Sequence, residues 1–235
     1  MKTPIVSLVL AACAISAASP ADIPQELNAL TPAERKAGWK LLFDGKTLNR
    51  WRGYKKPGPP QAGWVVEDGC LKLQANSRAG DLITVDQFSD FEFQWDWRIG
   101  PKGNNGVKYL VTEERPSAPG HEYQMIDDAT VDDARKKTAS FYDVLPPQKK
   151  TPLQPPGQWN RSRIAVQGKH VEHWLNGEKV LEYELESPEV KAAIAETKFK
   201  NASGFGDKIK GHILLTDHKD ETRYRNLKLR ELEAR

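Results

Sequence analysis

Residues 120–128 read Gly-His-Glu-Tyr-Gln-Met-Ile-Asp-Asp, a short segment in which polar and large apolar residues alternate. Because successive side chains of a β-strand point to opposite faces, Glu122 and Gln124 are predicted to share one face. A carboxylate can act as a general base, and an amide beside it can hydrogen-bond a hydroxyl group. The segment is therefore either the solvated outer face of a sheet or the floor of a sugar-binding groove.

Four charged residues on or next to other predicted strands could complete such a groove: Asp96, Arg98, Lys108 and Asp127. Asp96 or Asp127 could supply a second carboxyl group. Arg98 or Lys108 could hold a hydroxyl or stabilise a developing negative charge. Ordinary solvent exposure is the alternative role for both basic residues.

Histidines occur at positions 121, 170, 173, 212 and 218. A single histidine is more often a surface or core residue than a catalyst, and we assign His170 to that ordinary role. His212 and His218 are an even number of residues apart and could share a strand face. With His173 and Glu122 they offer ligands for a transition metal, although no zinc-type spacing is present. A divalent metal is therefore possible, and its ligands stay unassigned.

The surrounding chain consists of short apolar segments separated by turns. The clearest is Phe91 to Ile99, where apolar residues at every second position alternate with charged or amide residues. Asn176-Gly177 is a hairpin turn, and within the Pro- and Lys-rich stretch 128–158 only 139–144 is predicted as a strand. Capping signals at Thr31 and Ser187 predict two short helices. These features predict an all-β domain over 38–232, with two antiparallel sheets packed as a sandwich.

The N-terminus has the pattern of an export signal. Lys2 precedes an apolar stretch and small residues at 16–18, which predicts a signal peptide over 1–18 that is too short to span a bilayer. Leu10-Ala11-Ala12-Cys13 also resembles a lipobox, in which Cys13 would carry a lipid anchor. Residues 19–37 are expected to form a tether and a short helix. The protein is therefore expected to be periplasmic or secreted, with lipid anchoring as the alternative.

Charge and cysteine content exclude several classes of function. The chain has 35 basic and 32 acidic residues and a formal charge of +3, without a basic stripe. Nucleic acid and anionic membranes are therefore poor candidate partners. After removal of the leader, Cys70 is the one ordinary thiol, so neither an internal disulfide nor a thiolate metal cluster can form.

Seven segments occur in the order found in one known family. They are 39–45 (WKLLFDG), 95–99 (WDWRI), 105–109 (NGVKY), 122–127 (EYQMID), 172–177 (EHWLNG), 211–218 (GHILLTDH) and 224–229 (YRNLKL). Together they resemble the 3-keto-disaccharide hydrolase family over about 38–232. The resemblance implies a concanavalin A-like jelly roll of the lectin and glucanase type, acting on glycosides already oxidised to a ketone at C3. The chain departs from the family pattern at Thr216 and Lys219, where Gln and Gly are usual.

The implied substrate suggests a mechanism. A ketone at C3 makes the C2 proton acidic, so a base can form an enolate and the C1 substituent can leave before water adds. Glu122, His173 and His212 are the candidate catalytic residues. The candidate substrate-binding residues are Asp96, Arg98, Lys108, Gln124, Asp127 and His218.

Within this route, His173, His212, Arg98 and Lys108 could stabilise the enolate, directly or through a metal. Ordinary glycoside hydrolysis needs two carboxyl groups, and Gln124 in the second position favours the enolate route. The expected partner is a 3-keto di- or oligosaccharide or glycoside.

Two alternatives stay open. The same fold hosts lectin-like modules that bind carbohydrate without cleaving it. Titratable groups on the groove strands favour an enzyme, because a lectin would present exposed aromatic rings instead. A conventional glucanase is the third, weaker possibility.

Overall fold

The computed structural model describes residues 26–115 and 119–234. The predicted signal peptide, including the lipobox alternative at Cys13, lies outside the described residues. The short N-terminal helix α1 (Pro32–Lys36) has the predicted capping box, in which Thr31 accepts from the backbone N–H of Glu34 and the Glu34 carboxylate accepts from that of Thr31. Among the described residues, no helix is both long and apolar enough to cross a bilayer.

Thirteen strands and a second helix follow in the part of the chain that the structure describes. They are β1 (Lys40–Leu41), β2 (Trp51–Gly53), β3 (Trp64–Glu67), β4 (Cys70–Leu73), β5 (Leu82–Thr84), β6 (Phe91–Ile99), β7 (Asn104–Val111), β8 (His121–Ile126), β9 (Asn160–Gln167), β10 (His170–Leu175), β11 (Glu178–Glu184), α2 (Pro188–Ala195), β12 (His212–Leu215) and β13 (Thr222–Glu231). Two 3₁₀ turns, Asp128–Thr130 and Ala134–Lys136, lie between β8 and β9.

The strands form two antiparallel sheets packed as a jelly-roll sandwich, which confirms the predicted fold class. The larger sheet has the order β11-β10-β9-β6-β13-β4-β3, and β1 also pairs with β13. The smaller sheet has the order β2-β5-β12-β7-β8. Lys40 lies opposite Leu229, so the first strand of the fold lies beside the last.

The two sheets bury their apolar faces against each other. On β6, Phe91, Phe93, Trp95 and Trp97 are fully buried, as the alternating pattern predicted. Trp95 contacts the smaller sheet directly, because its indole lies edge-on to Tyr123 at 5.1 Å between ring centroids. These inward residues leave the alternate positions of β7 and β8 on the outer face of the smaller sheet.

Two segments outside the sheets cover the edge strand β8. Residues 139–142 run beside it, and the backbone N–H of Tyr142 donates to the Glu122 carbonyl at 3.0 Å. The predicted strand at 139–144 forms isolated bridges, at Phe141, instead of a regular strand. The stretch after α2 adds Phe199 and Phe205, whose rings stack at 4.3 Å. A recess therefore forms between the outer face of β7 and β8 and these two segments.

Candidate active site

The recess is a cavity of about 170 Å³ on the outer face of the smaller sheet. It is lined by Asn104, Lys108, Pro119, Gly120, Glu122, Gln124, Tyr142, Lys198, Phe199, Phe205 and His218. Four of the nine site residues predicted from sequence are in this group: Glu122, Gln124, Lys108 and His218. The polar face of β8 that carries Glu122 and Gln124 is therefore the floor of a cavity.

Glu122 lies between two basic side chains. The Nζ of Lys108 is 3.8 Å from Glu122 Oε2, and Nε2 of His218 is 3.8 Å from Glu122 Oε1. The Glu122 side chain is only 10% exposed. Lys108 reaches this position because it lies directly opposite Glu122 in the β7–β8 register. The carboxylate is thus shielded from bulk water and has a basic group near each oxygen.

The other polar groups of the cavity are held in fixed orientations. The side-chain amide of Gln124 donates to Asn104 Oδ1 at 3.1 Å, which directs the Gln124 carbonyl oxygen away from Asn104. The ammonium group of Lys198 lies over the Tyr142 ring, 4.6 Å from its centroid. The cavity therefore combines a carboxylate with two amides, a phenol, an imidazole and two ammonium groups.

Asp81 carries a second carboxyl group whose charge interacts with that of Glu122, and no local sequence pattern marks it as functional. Its Oδ1 accepts a hydrogen bond from the backbone N–H of Asp217 at 2.8 Å. Burial raises the pKa of Asp81 above its ordinary value, and the charge of Glu122 adds to this rise. The Asp217 N–H and the charges of Lys108 and His218 oppose the rise without cancelling it. Asp81 can therefore hold a proton at a higher pH than an exposed aspartic acid.

His173 is not in the cavity, which corrects its expected catalytic role. It lies fully buried between the sheets, where Nδ1 donates to the Ala139 carbonyl at 2.9 Å and Nε2 accepts from the Tyr109 hydroxyl at 3.0 Å. Burial lowers the pKa of His173 to about 4, although the Ala139 carbonyl opposes this. Val171 and Leu175 point to the same inner face, so the β10 alternation was the signal of a core position.

His212 also lies away from Glu122. Its Nδ1 donates to the Thr84 carbonyl at 2.8 Å, and its Nε2 lies 3.0 Å from the side-chain amide of Gln87. Burial lowers the pKa of His212, and the Thr84 carbonyl works against this. With both nitrogens occupied, His212 holds the loop after β5 and is not a catalyst in the cavity.

Three predicted binding residues lie elsewhere. Asp96 is on the outer face of the larger sheet, where it accepts from Arg161 Nε and Asn226 Nδ2, both at 2.7 Å. Arg98 shares that face and lies over the ring of Trp159. Asp127 caps the first 3₁₀ turn by accepting from the backbone N–H of Ala129 at 3.2 Å. These three residues therefore make hydrogen bonds or stacking contacts within the protein, and none of them lines the cavity that contains Glu122.

The histidines proposed as metal ligands are likewise separated. His173 is in the core and His212 is bonded to the loop after β5, so neither joins Glu122 and His218. Within the described ranges, the one close group of potential ligands is His170, Glu172 and Glu182, with ligand atoms within 4.8 Å of one another. It lies on the far sheet, and Lys179 Nζ contacts its two carboxylates at 3.0 and 2.5 Å.

The residues missed from sequence are positioned by long-range contacts or lie on irregular segments. Asp81 precedes a three-residue strand and meets Asp217 across 136 positions of sequence. Tyr142 and Lys198 come from irregular segments in which no side-chain periodicity exists. Of these three residues, only Asp81 has a local sequence signal, because its carboxylate follows Gly80 and directly precedes an apolar strand.

Comparison with known proteins agrees with this architecture. A family model described as a 3-keto-alpha-glucoside-1,2-lyase-like domain matches residues 38–230. A 3-keto-disaccharide hydrolase from Bacteroides thetaiotaomicron is 32% identical, over 88% of this chain and 83% of that protein.

Two solved structures described as glycosyl hydrolases from Parabacteroides distasonis are also similar. One has a TM-score of 0.79 at 33% identity and covers 88% of this chain and 100% of its own. The other has a TM-score of 0.66 at 26% identity and covers 83% of this chain and 99% of its own. The family match spans most of the sequence and includes the whole cavity. The chain belongs to the family of 3-keto-alpha-glucoside-1,2-lyase-like domains.

Proposed function

We propose that this protein is an exported carbohydrate-active enzyme that cleaves 3-keto-glycosides by elimination, followed by addition of water. The observation that carries the proposal is the position of Glu122, shielded from water and flanked at 3.8 Å by Lys108 and by His218. The family description names a 1,2-lyase, and the Bacteroides relative is named a 3-keto-disaccharide hydrolase. Both names support a substrate with a ketone at C3.

The first step is removal of the proton from C2. The C3 ketone stabilises the resulting carbanion as an enolate, so a carboxylate is a strong enough base when it is well placed. Glu122 is the base in this scheme. Its position on a paired strand holds the carboxylate in place, which favours proton transfer at a fixed carbon atom.

Lys108 is placed to stabilise the enolate. C2 and C3 are adjacent atoms, so the base and the group that binds the C3 oxygen must also be neighbours. Lys108 Nζ meets this condition at 3.8 Å from Glu122 Oε2. A fixed ammonium group in a recess shielded from water stabilises developing negative charge more effectively than the same group in bulk water.

Asp81 supplies the proton for the leaving group. As the enolate electrons form the C1–C2 double bond, the C1–oxygen bond breaks and the leaving oxygen takes a proton from the Asp81 carboxyl. The raised pKa of Asp81 suits this role, because the group stays protonated to a higher pH. The products are a 1,2-unsaturated 3-keto sugar and an alcohol, and addition of water to the double bond completes a net hydrolysis.

A conventional two-carboxylate hydrolase is the second candidate, because Asp81 and Glu122 form a pair of carboxyl groups. The test compares a 3-keto-disaccharide with its unoxidised parent and follows the release of free sugar. The elimination route requires cleavage of the ketone alone, since the C2 proton of the parent is far less acidic. Equal cleavage of both substrates would support the conventional hydrolase.

A carbohydrate-binding module is a third possibility, and the same assay tests it. Binding of the 3-keto-disaccharide without any release of sugar would support that role. Export is proposed from the leader pattern at 1–18, and the mass of the mature N-terminus tests it. A lipid-modified Cys13 would indicate membrane anchoring instead.

A further inference from the structure

A second and larger cavity lies beside the active site. Its volume is about 680 Å³, compared with about 170 Å³ for the cavity that contains Glu122. Residues 53–62, which end β2 and continue past it, form one wall, and residues 77–81, which precede β5, form the other. Pockets that bind drug-sized organic molecules have volumes of about 300–1,000 Å³. The second cavity is therefore large enough for a ligand group of that size.

A short run of hydrogen-bonded residues links the two cavities. Asp81 lines the second cavity, and its Oδ1 accepts from the backbone N–H of Asp217 at 2.8 Å. Asp217 Oδ2 in turn accepts from the N–H of Gly80 at 2.9 Å. The next residue, His218, lines the first cavity and lies 3.8 Å from Glu122. A leaving group that extends past Asp81 from a sugar ring over Glu122 would enter the second cavity.

The walls of the second cavity are mostly apolar. Tyr54 provides an aromatic surface, and Pro57, Pro59 and Pro60 contribute three rigid rings. Proline has no backbone N–H, so these rings together with Tyr54 form an apolar surface against which a flat, apolar group can be buried. Polar side chains complete the lining, at Lys56, Gln61, Ser77 and Arg78.

We propose that the second cavity binds the leaving group of the glycoside, and that it favours a flat, apolar leaving group such as one carrying an aromatic ring. This inference rests on the proposed function, because it places the sugar ring over Glu122. It adds a specificity that the family description does not contain.

The test uses two substrates whose leaving groups have similar acidity, 2-phenylethyl 3-keto-glucoside and ethyl 3-keto-glucoside. Because both leaving groups are primary alcohols, a difference in kcat/KM reports binding of the phenyl ring. Burial of an aromatic ring is expected to raise kcat/KM for the phenylethyl substrate about 10- to 100-fold over the ethyl substrate.

Variants that fill the second cavity test whether the preference for the phenylethyl substrate arises there. Ala62→Trp places a large ring at an exposed lining position and should reduce the preference towards one. Gln61→Trp repeats the test at the next position, should Ala62→Trp fail to fold in a thermal melt. Ala129→Trp, an exposed alanine away from both cavities, is the control and should keep the wild-type preference.

The outcomes separate this inference from the proposed function. If neither 3-keto-glucoside is cleaved, the proposed function fails and the inference falls with it. If both are cleaved with equal kcat/KM, the proposed function stands and the inference is overturned. A phenyl preference that both cavity-filling variants retain would also overturn it, because the ring would then bind elsewhere.

Discussion

Gly106 makes room for the carboxylate of Glu122. A Cβ atom at position 106 would lie 2.2 Å from Glu122 Oε1 and 3.0 Å from its Cδ, which is closer than nonbonded atoms approach. Gly106 lies opposite Gln124 in the β7–β8 register, two residues before Lys108 and on the same face. The absence of a side chain at 106 therefore sets the position of the proposed base.

Gly106→Ala is expected to displace the Glu122 carboxylate and reduce kcat by at least about tenfold, because general base catalysis depends on close positioning. The control is Gly100→Ala, whose added Cβ would meet no atom within 4 Å. Steady-state kinetics and thermal melts of both variants provide the measurement. Wild-type kcat in a folded Gly106→Ala variant would show that the carboxylate position is not critical.

Glu122→Gln is expected to lower kcat by about 10²- to 10⁴-fold while the fold stays intact, since loss of a general base costs about that much. Glu182→Gln is the matched control, because Glu182 is a half-exposed residue on the opposite sheet. Circular dichroism establishes that both variants fold. If Glu122→Gln retained most of its activity, Glu122 would have no role as the base.

Asp81→Asn is expected to reduce cleavage by an amount that depends on how readily the leaving group departs without a proton. A poor leaving group such as an alkyl alcohol needs a proton from Asp81, whereas nitrophenol leaves readily without one. The variant should therefore lose much more activity on ethyl than on nitrophenyl 3-keto-glucoside. Asp86→Asn, at an exposed position after β5, is the control. An equal loss on both substrates would argue against proton donation by Asp81.

The pH profile tests the same assignment. Asp81 acts in its protonated form, so wild-type activity on the ethyl substrate should fall as the pH rises through its raised pKa. Asp81→Asn should lose this limb of the profile. If the loss of activity at high pH were unchanged in Asp81→Asn, it would reflect the titration of a different residue.

Stability is expected to fall in acid because of a buried histidine. His121 is fully buried, both ring nitrogens lack a hydrogen-bond partner among the described residues, and burial together with Arg115 and His173 lowers its pKa from 6.5 to about 3. The unfolded chain takes up a proton below about pH 6.5 and the folded chain does not. The free energy of unfolding should therefore drop by roughly 1 kcal/mol per pH unit between these two values.

His121→Leu is expected to remove this contribution. The variant should have stability close to wild type at pH 7, since the lost ring nitrogens make no hydrogen bonds. At pH 4.5 it should be more stable than wild type by roughly 2 kcal/mol. Urea unfolding at both pH values provides the measurement. Identical pH dependence in the two proteins would exclude His121 as a source of acid instability.

Strand alternation predicted the parts of the site that lie on regular strands. It placed Glu122 and Gln124 on one face and buried Tyr123 and Met125, because the side-chain period of two holds wherever backbone pairing is regular. The same rule places His173 on the core face of β10 with Val171, so its burial follows from the alternation. A titratable residue that shares a strand face with apolar residues is therefore expected to be a buried core residue and not a catalyst.

The parts of the site on irregular segments could not be predicted in this way. Asp81 depends on the contact with Asp217, and Tyr142 on the pairing of 139–142 with β8. Both contacts join segments far apart in sequence and are set by the packing of the sandwich. No local pattern of residues specifies which loop covers which strand.

Removal of the C2 proton by Glu122 can be followed with a 3-keto-disaccharide that carries deuterium at C2. The labelled 3-keto-disaccharide is cleaved in ordinary water, and the sugar product is analysed by mass spectrometry, with enzyme-free and Glu122→Gln incubations as controls for spontaneous exchange. The elimination mechanism predicts that the released sugar has lost its deuterium in step with cleavage. Cleavage with the deuterium fully retained at C2 would contradict it.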